Sequence, residues 1–235
     1  MMKRLDLLYE MIPDNGCGVI DVGTDHAQIP IRLAVSGYKG HIFASDIAEG
    51  PLKTARATVH TAGMDKRIRF LLCDGLDQCP QQEVSDILIA GMGGDTICGI
   101  LDRAEWLFSC QYRLILQPMT KPEVVRYWLI HNEFSIDLEA AAREEQHVYQ
   151  MFRAVPGHSE SLSDAEYLVG SCSVPRRGDE ICFVIDQQLR MITKKLNGFP
   201  AKKAAESSEY AFYQKIKTEL EGLRSLSSPK EFGNG

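Results

Sequence analysis

The chain has 235 residues, 44% of them hydrophobic and 25% charged, with a formal net charge of -6. That is the profile of an ordinary globular chain of one medium domain, with or without an appendage. The acidic total by itself argues against a large polyanionic partner, and no apolar run approaches the length of a membrane span.

The opening MMKRLDLLYEMI carries Asp6 and Glu10 among apolar positions, so an amphipathic leading helix is expected rather than a signal peptide. From about residue 17 to residue 135, strand-like and helix-like segments alternate. Cys17–Val22 reads as a strand and Gln28–Ser36 as a helix with Pro30 in its first turn, where proline is tolerated. His41–Ile47 is the next strand, and Pro51–Ala62 a helix stopped by Gly63. Arg67–Cys73 and the continuous apolar run Ser85–Ala90 are strands, the latter patterned for burial on both faces. Thr96–Leu107 is helical, Arg113–Leu116 is a strand ended by Gln117-Pro118, and Pro122–His131 is helical. Phe134–Ala142 and Val148–Val155 are joined by a short polar loop, which allows an antiparallel pair. Such alternation implies an α/β fold with a mostly parallel, doubly wound sheet; with the terminal strand pair the element count is that of a Rossmann-like methyltransferase, and periodicity alone does not separate this from a dehydrogenase.

Pro156–Gly178 shifts to Gly, Ser and Pro and is expected to be a boundary or a loosely structured connection. Beyond it, Ile181, Ile185, Leu189, Ile192 and Leu196 recur at helical spacing, as do Tyr213, Ile216, Leu220 and Leu223. An antiparallel helical hairpin turning at Asn197–Pro200 follows, and the last residues look like a frayed tail. The expected units are residues 1–157, a cofactor-binding domain; 158–228, the hairpin; and 229–235, the tail. Residues 160–235 hold 11 Lys/Arg and 11 Asp/Glu, so the acidic excess lies in the first unit. No acid falls between Asp186 and Glu206, where Lys194, Lys195, Lys202 and Lys203 cluster near the hairpin turn. A local basic patch on an acidic chain can still grip phosphates.

In open parallel sheets, ligands bind at the carboxyl ends of the strands. Here four such ends carry Asp21-Val22-Gly23, Asp46-Ile47, Asp74-Gly75 and Ala90-Gly91-Met92-Gly93-Gly94. Gly23 permits close backbone approach. Asp46 has two oxygens for the two hydroxyls of a ribose, and Asp74 can accept from an adenine amino group, with Gly75 leaving room for the ring. Any one of these is weak, because an acid at a strand end is often a helix cap. Three acids at successive strand ends are harder to dismiss. A dinucleotide would want more glycines in the first turn. The chain supplies Thr24-Asp25-His26 instead, and Asp25 would repel a pyrophosphate. S-adenosylmethionine has no phosphate and a positive sulfur, and suits the acid.

DVGTDHAQIPIRL, ASDIAEGPLKTA, CDGL, ILIAGMGG and LILQP, in this order, resemble the bacterial tRNA (adenine(22)-N1)-methyltransferases, the TrmK family. The resemblance spans roughly residues 3–155 closely and the hairpin loosely. It implies a class I methyltransferase domain with a carboxy-terminal coiled-coil-like hairpin, and methyl transfer from S-adenosylmethionine to N1 of an adenine in the D-arm of tRNA. Two places depart from the family pattern: Gln28 stands where an aromatic residue is usual, and Gln146-His147-Val148-Tyr149-Gln150 replaces a Gly-Lys-x-Tyr-Glu pattern.

Asp25 resembles the family's second motif aspartate and is the expected catalytic acid; a helix cap would also explain it. His26 orients Asp25, contacts RNA, or is structural. Gly91, Met92, Gly93 and Gly94, with Gln117 and Pro118, are expected to receive the target base. The alternatives there are a tight turn and a strand terminator. Lys194, Lys195, Lys202 and Lys203, with Arg176 and Arg177, are candidates for tRNA contact, against a plain solvated surface. No metal and no membrane is expected, and the protein is expected to be a cytoplasmic monomer or weak dimer. Rival readings are a small-molecule methyltransferase, a non-catalytic RNA-binding protein of the same fold and, least favoured, a nicotinamide oxidoreductase.

Overall fold

The computed structural model describes residues 4–109, 112–145, 147–171, 173–177, 180–200 and 207–227. Eight strands form one sheet: β1 (Val19–Val22), β2 (Ile42–Asp46), β3 (Ile68–Leu72), β4 (Asp86–Gly93), β5 (Arg113–Thr120), β6 (Phe134–Glu144), β7 (His147–Pro156) and β8 (Arg176–Arg177). Their order is β3-β2-β1-β4-β5-β7-β6-β8. The first five run parallel, and β7 is antiparallel to both β5 and β6. The strand order reverses between β1 and β4, and a crevice opens there at the carboxyl edge.

Helices α1 (Arg4–Met11), α2 (Gln28–Val35) and α3 (Glu49–Thr61) cover one face, and α4 (Gly94–Arg103) and α5 (Pro122–His131) the other. The alternation of side chains along β4 decides which residue feeds which core. Ile87 and Ile89 pack with Leu101, Val125 and Leu129, whereas Leu88 packs with Leu7, Leu8, Met11 and Leu33. Helix α6 (Asp164–Val169) leads to the antiparallel pair α7 (Ile181–Asn197) and α8 (Ser208–Leu226). Their own core joins Ala165, Val169, Val184, Ile185, Ile216 and Leu220 to Ala141 of β6. Among the described residues no helix is long and apolar enough to cross a membrane.

Three elements differ from the sequence expectation. The helix expected over Thr96–Leu107 starts at Gly94, stops at Arg103 and resumes as a 3-10 turn over Glu105–Ser109. Strand β5 runs on through Gln117-Pro118 to Thr120, because the ladder to β4 is irregular beyond Ala90 and Pro118, lacking an N–H, sits opposite Met92 there. The connection expected to be loose contains α6, whose Ser163 side chain accepts from the Glu166 amide while the Glu166 carboxylate accepts from the Ser163 amide.

Candidate active site

The turn after β1 is built around Gly23, whose φ is 76°. A Cβ there would stand 2.2 Å from Met92 Cε, the movable end of that side chain, so it is the positive φ that favours glycine. The Gly23 and Thr24 amides both donate to Ser45 O, at 2.8 and 2.9 Å. The two N–H groups that a pyrophosphate would need are therefore already bonded to β2.

Two clefts flank Gly23. The first, of about 300 Å3, is lined by Asp21, Asp25, His26, Gln28, Gly91 and Arg4, among others. The second, of about 280 Å3, is lined by Asp46, Ile47, Asp74, Gly75, Met92 and Arg103, among others. Gly23 lines both. The three acids at strand ends are thus brought to one continuous edge.

Their environments differ. Asp21 accepts from the Thr24 hydroxyl at 2.7 Å. Burial pushes its carboxyl up from the ordinary 3.8 to about 6, and the Thr24 bond offsets part of that rise. Asp46 accepts from the Ala48 amide at 2.8 Å. Asp74 Oδ1 accepts from Arg103 Nη2 at 2.8 Å. Asp25 does not cap α2: the N-cap residue is Ala27, in the left-handed region at φ 51°, and no side chain caps that end. The Asp25 side chain is 74% exposed, with His26 Nε2 3.4 Å from its Oδ2. A carboxylate held in the cleft wall without a capping role is available to an incoming group.

The substrate-side candidates separate. Gly91 lines the first cleft, whereas Gly94 is buried against the loop before α5, where a Cβ would meet Lys121 O at 2.5 Å. Gly93 packs beside Thr120. Gln117 and Pro118 are buried behind the cleft. Gln117 donates to Pro118 O at 3.0 Å and accepts from Arg4 Nη1 at 2.7 Å. Lys194 and Lys195 are exposed near the end of α7; Lys202 and Lys203 lie outside the described residues. Arg176 is not a surface cation: it donates to Val169 O and Ser171 O and pairs with Glu139. The Gln146 departure also lies outside the described residues, while Gln28 lines the first cleft. Sequence reasoning missed Arg4 and Thr24. Thr24 is legible in retrospect as a hydroxyl three residues after an acid; Arg4 carries no local signal.

S-adenosylmethionine fits this edge. It needs no phosphate-binding amides, and its positive centre matches Asp21 and Asp25. The cradle at Gly23 is one that a side chain would fill. Among the described residues no group of three His, Cys, Asp or Glu side chains converges to hold a metal.

Comparison with known proteins agrees. The methyltransferase-domain family matches residues 1–152. A tRNA (adenine(22)-N(1))-methyltransferase of Bacillus subtilis is 31% identical over 164 residues, covering 70% of this chain and 68% of that protein. The crystal structure of the B. subtilis tRNA methyltransferase TrmK superposes with a TM-score of 0.70 at 26% identity, over 97% of both chains. The Streptococcus pneumoniae protein Sp1610 in complex with S-adenosyl-L-methionine superposes with a TM-score of 0.76 at 26% identity, over 95% of this chain and 99% of that one. On matching motifs, fold and coverage, this chain belongs to the tRNA (adenine(22)-N1)-methyltransferase, or TrmK, family.

Proposed function

We propose that this protein transfers a methyl group from S-adenosylmethionine to N1 of adenine 22 in bacterial tRNA. The observation that carries the reading is the acidic carboxyl edge of the sheet, whose Gly23 and Thr24 amides are engaged by Ser45 and whose Asp25 faces the cleft uncapped. When bound, S-adenosylmethionine supplies an electrophilic methyl group on a positive sulfur. Asp46 would hold the ribose hydroxyls, and the Asp74 oxygen not bonded to Arg103 would accept from the adenine amino group. Asp21 would supply negative charge for the positive sulfur.

Neutral adenine has a lone pair on N1, so no strong base is required. As the N1–C bond forms, the methyl–sulfur bond would break, leaving neutral S-adenosylhomocysteine and passing the positive charge to the ring. Asp25 accepts from the exocyclic amino group, which raises N1 nucleophilicity and stabilises the developing charge. A base stacked in folded tRNA must first be exposed, at a cost of a few kcal/mol. Phosphate contacts at the basic end of α7, through Lys194 and Lys195, offset that cost. The protein acts as a cytoplasmic monomer or weak dimer.

The test is release of S-adenosylhomocysteine on adding unmodified bacterial tRNA. Turnover is expected with tRNA and falls steeply with salt. Equal turnover with free adenosine, insensitive to Lys194→Glu and Lys195→Glu, would instead indicate a small-molecule enzyme.

The raised carboxyl of Asp21 gives a pH prediction. In the free protein, its ionisation opposes folding, because the folded pKa of about 6 exceeds the ordinary 3.8. The penalty is absent below 3.8, where the carboxyl is protonated folded or unfolded, and is fully felt once pH has risen through about 6, so stability falls over that window. A cationic ligand reverses the sign, since it favours the carboxylate. Affinity for S-adenosylmethionine is therefore expected to fall below pH 6, by up to about tenfold per unit. Calorimetry on Asp21→Asn should show weaker binding at neutral pH and a flat profile.

A further inference from the structure

From the geometry around α1 we infer that Arg4 is a substrate-gripping residue, the cation that receives a phosphate of the target nucleotide at the mouth of the cleft. The inference rests on the tRNA reading above and adds a residue to it.

Among the described residues lining the cleft that holds Asp21 and Asp25, Arg4 is the only lysine or arginine. Those two acids suit a positive methyl donor and repel a polyanion. A base can reach Asp25 only with its own phosphates close behind, so the cleft needs a fixed positive charge on its rim. Arg4 is placed for that by contacts from three strands. Nη1 donates to Gln117 of β5 at 2.7 Å, and its Nε lies 3.8 Å from Glu144 Oε2 of β6. The guanidinium stands 5.2 Å from the ring centre of Tyr149 on β7. The Arg4 backbone amide donates to Glu144 Oε1 at 3.1 Å, which anchors the helix end itself. Helix α1 is fixed in the same first turn by the ion pair of Asp6 with Arg32 of α2.

The side chain nevertheless stays 26% exposed. Its Nε is buried and makes no hydrogen bond in the structure. A phosphate would not reach that buried atom; it would meet the exposed part of the side chain. Glu144 approaches Nε at a distance longer than a hydrogen bond, so it holds the charge in place without saturating the fork.

The experiment measures tRNA affinity for the full chain between about 50 and 200 mM salt, together with the KM for tRNA and calorimetry of S-adenosylhomocysteine. Arg4→Gln is expected to raise the KM for tRNA about tenfold and to lower the slope of log affinity against log salt by about one. S-adenosylhomocysteine affinity should stay within about twofold. Arg4→Lys, which retains the charge, should keep the wild-type slope even if α1 docks less firmly. An unchanged slope in Arg4→Gln, or equal loss of slope in both variants, would overturn the inference and leave Arg4 as a latch. Wild-type protein that leaves tRNA unmethylated would overturn the tRNA reading, and this inference with it. Wild type that methylates while Arg4→Gln keeps its slope would overturn the role of Arg4 alone.

Discussion

Asp25→Ala is expected to lower the rate of tRNA methylation by about 10²–10³-fold while leaving S-adenosylhomocysteine affinity within about twofold. The size follows from removing one preorganised group aimed at developing charge. The separation of effects follows from position. Asp25 is 74% exposed on the cleft wall and does not cap α2, so its loss neither unravels the helix nor opens the floor of the site. Asp25→Asn tests the charge itself: the amide can still accept from the amino group, so its activity should fall between wild type and Ala. A matched loss of cofactor affinity in Asp25→Ala would reassign the residue to cofactor binding.

The second large effect concerns stability. Arg126 of α5 is only 1% exposed, and Glu139 of β6 is also buried. Arg126 Nε donates to Glu139 Oε1 at 3.0 Å, Nη2 to Gln150 Oε1 at 2.8 Å and Nη1 to Tyr167 O at 3.0 Å. Arg176 of β8 pairs with the other Glu139 oxygen at 3.2 Å. One carboxylate therefore bridges two guanidinium groups, and burial pulls the Arg126 pKa below its ordinary value despite that partner. Glu139→Leu leaves a buried cation uncompensated, which costs about 3–5 kcal/mol. For a chain of this size that lowers the melting temperature by about 10 °C. The network ties α5, β6, β7, α6 and β8 together, so the segment leading to the helical pair should also become sensitive to protease. Arg126→Met combined with Glu139→Leu should recover part of the loss, because the fully buried cation goes with its partner and only the part-exposed Arg176 loses its carboxylate. A single variant melting within about 2 °C of wild type would show that water reaches the pair.

This network marks where sequence reading runs out. In FSIDLEAAARE, Asp137 and Glu139 read as one polar face of an alternating strand. Asp137 does serve that way, meeting Arg153 across the ladder at 2.9 Å. The register shifts between Ile136 and Leu138, and Glu139 turns inward to a partner 13 residues earlier on a helix. No periodicity reports such an event. Arg4 is invisible for the same reason: its contacts lie 113 and 140 residues away. Helix α6 was legible in principle, since Ser163 and Glu166 have the spacing of a capping box, but six residues are too few to show a repeat.

The parallel core was plain because strands buried on both faces read as unbroken apolar runs, as in β4. The acids of the site were plain because they stand where those runs stop. What each acid does locally was not plain: Asp74 meets Arg103, Asp21 meets Thr24, and Asp25 leaves the helix end to Ala27. Those distinctions need the third dimension.

The most direct measurement is nucleoside mapping. Unmodified bacterial tRNA is incubated with the protein and labelled S-adenosylmethionine, digested, and the modified base placed by mass spectrometry. The account predicts a single N1-methyladenosine at position 22 of the tRNA, abolished by Asp25→Ala. A methyl group on the exocyclic nitrogen, on another base, or nowhere in the tRNA would contradict it.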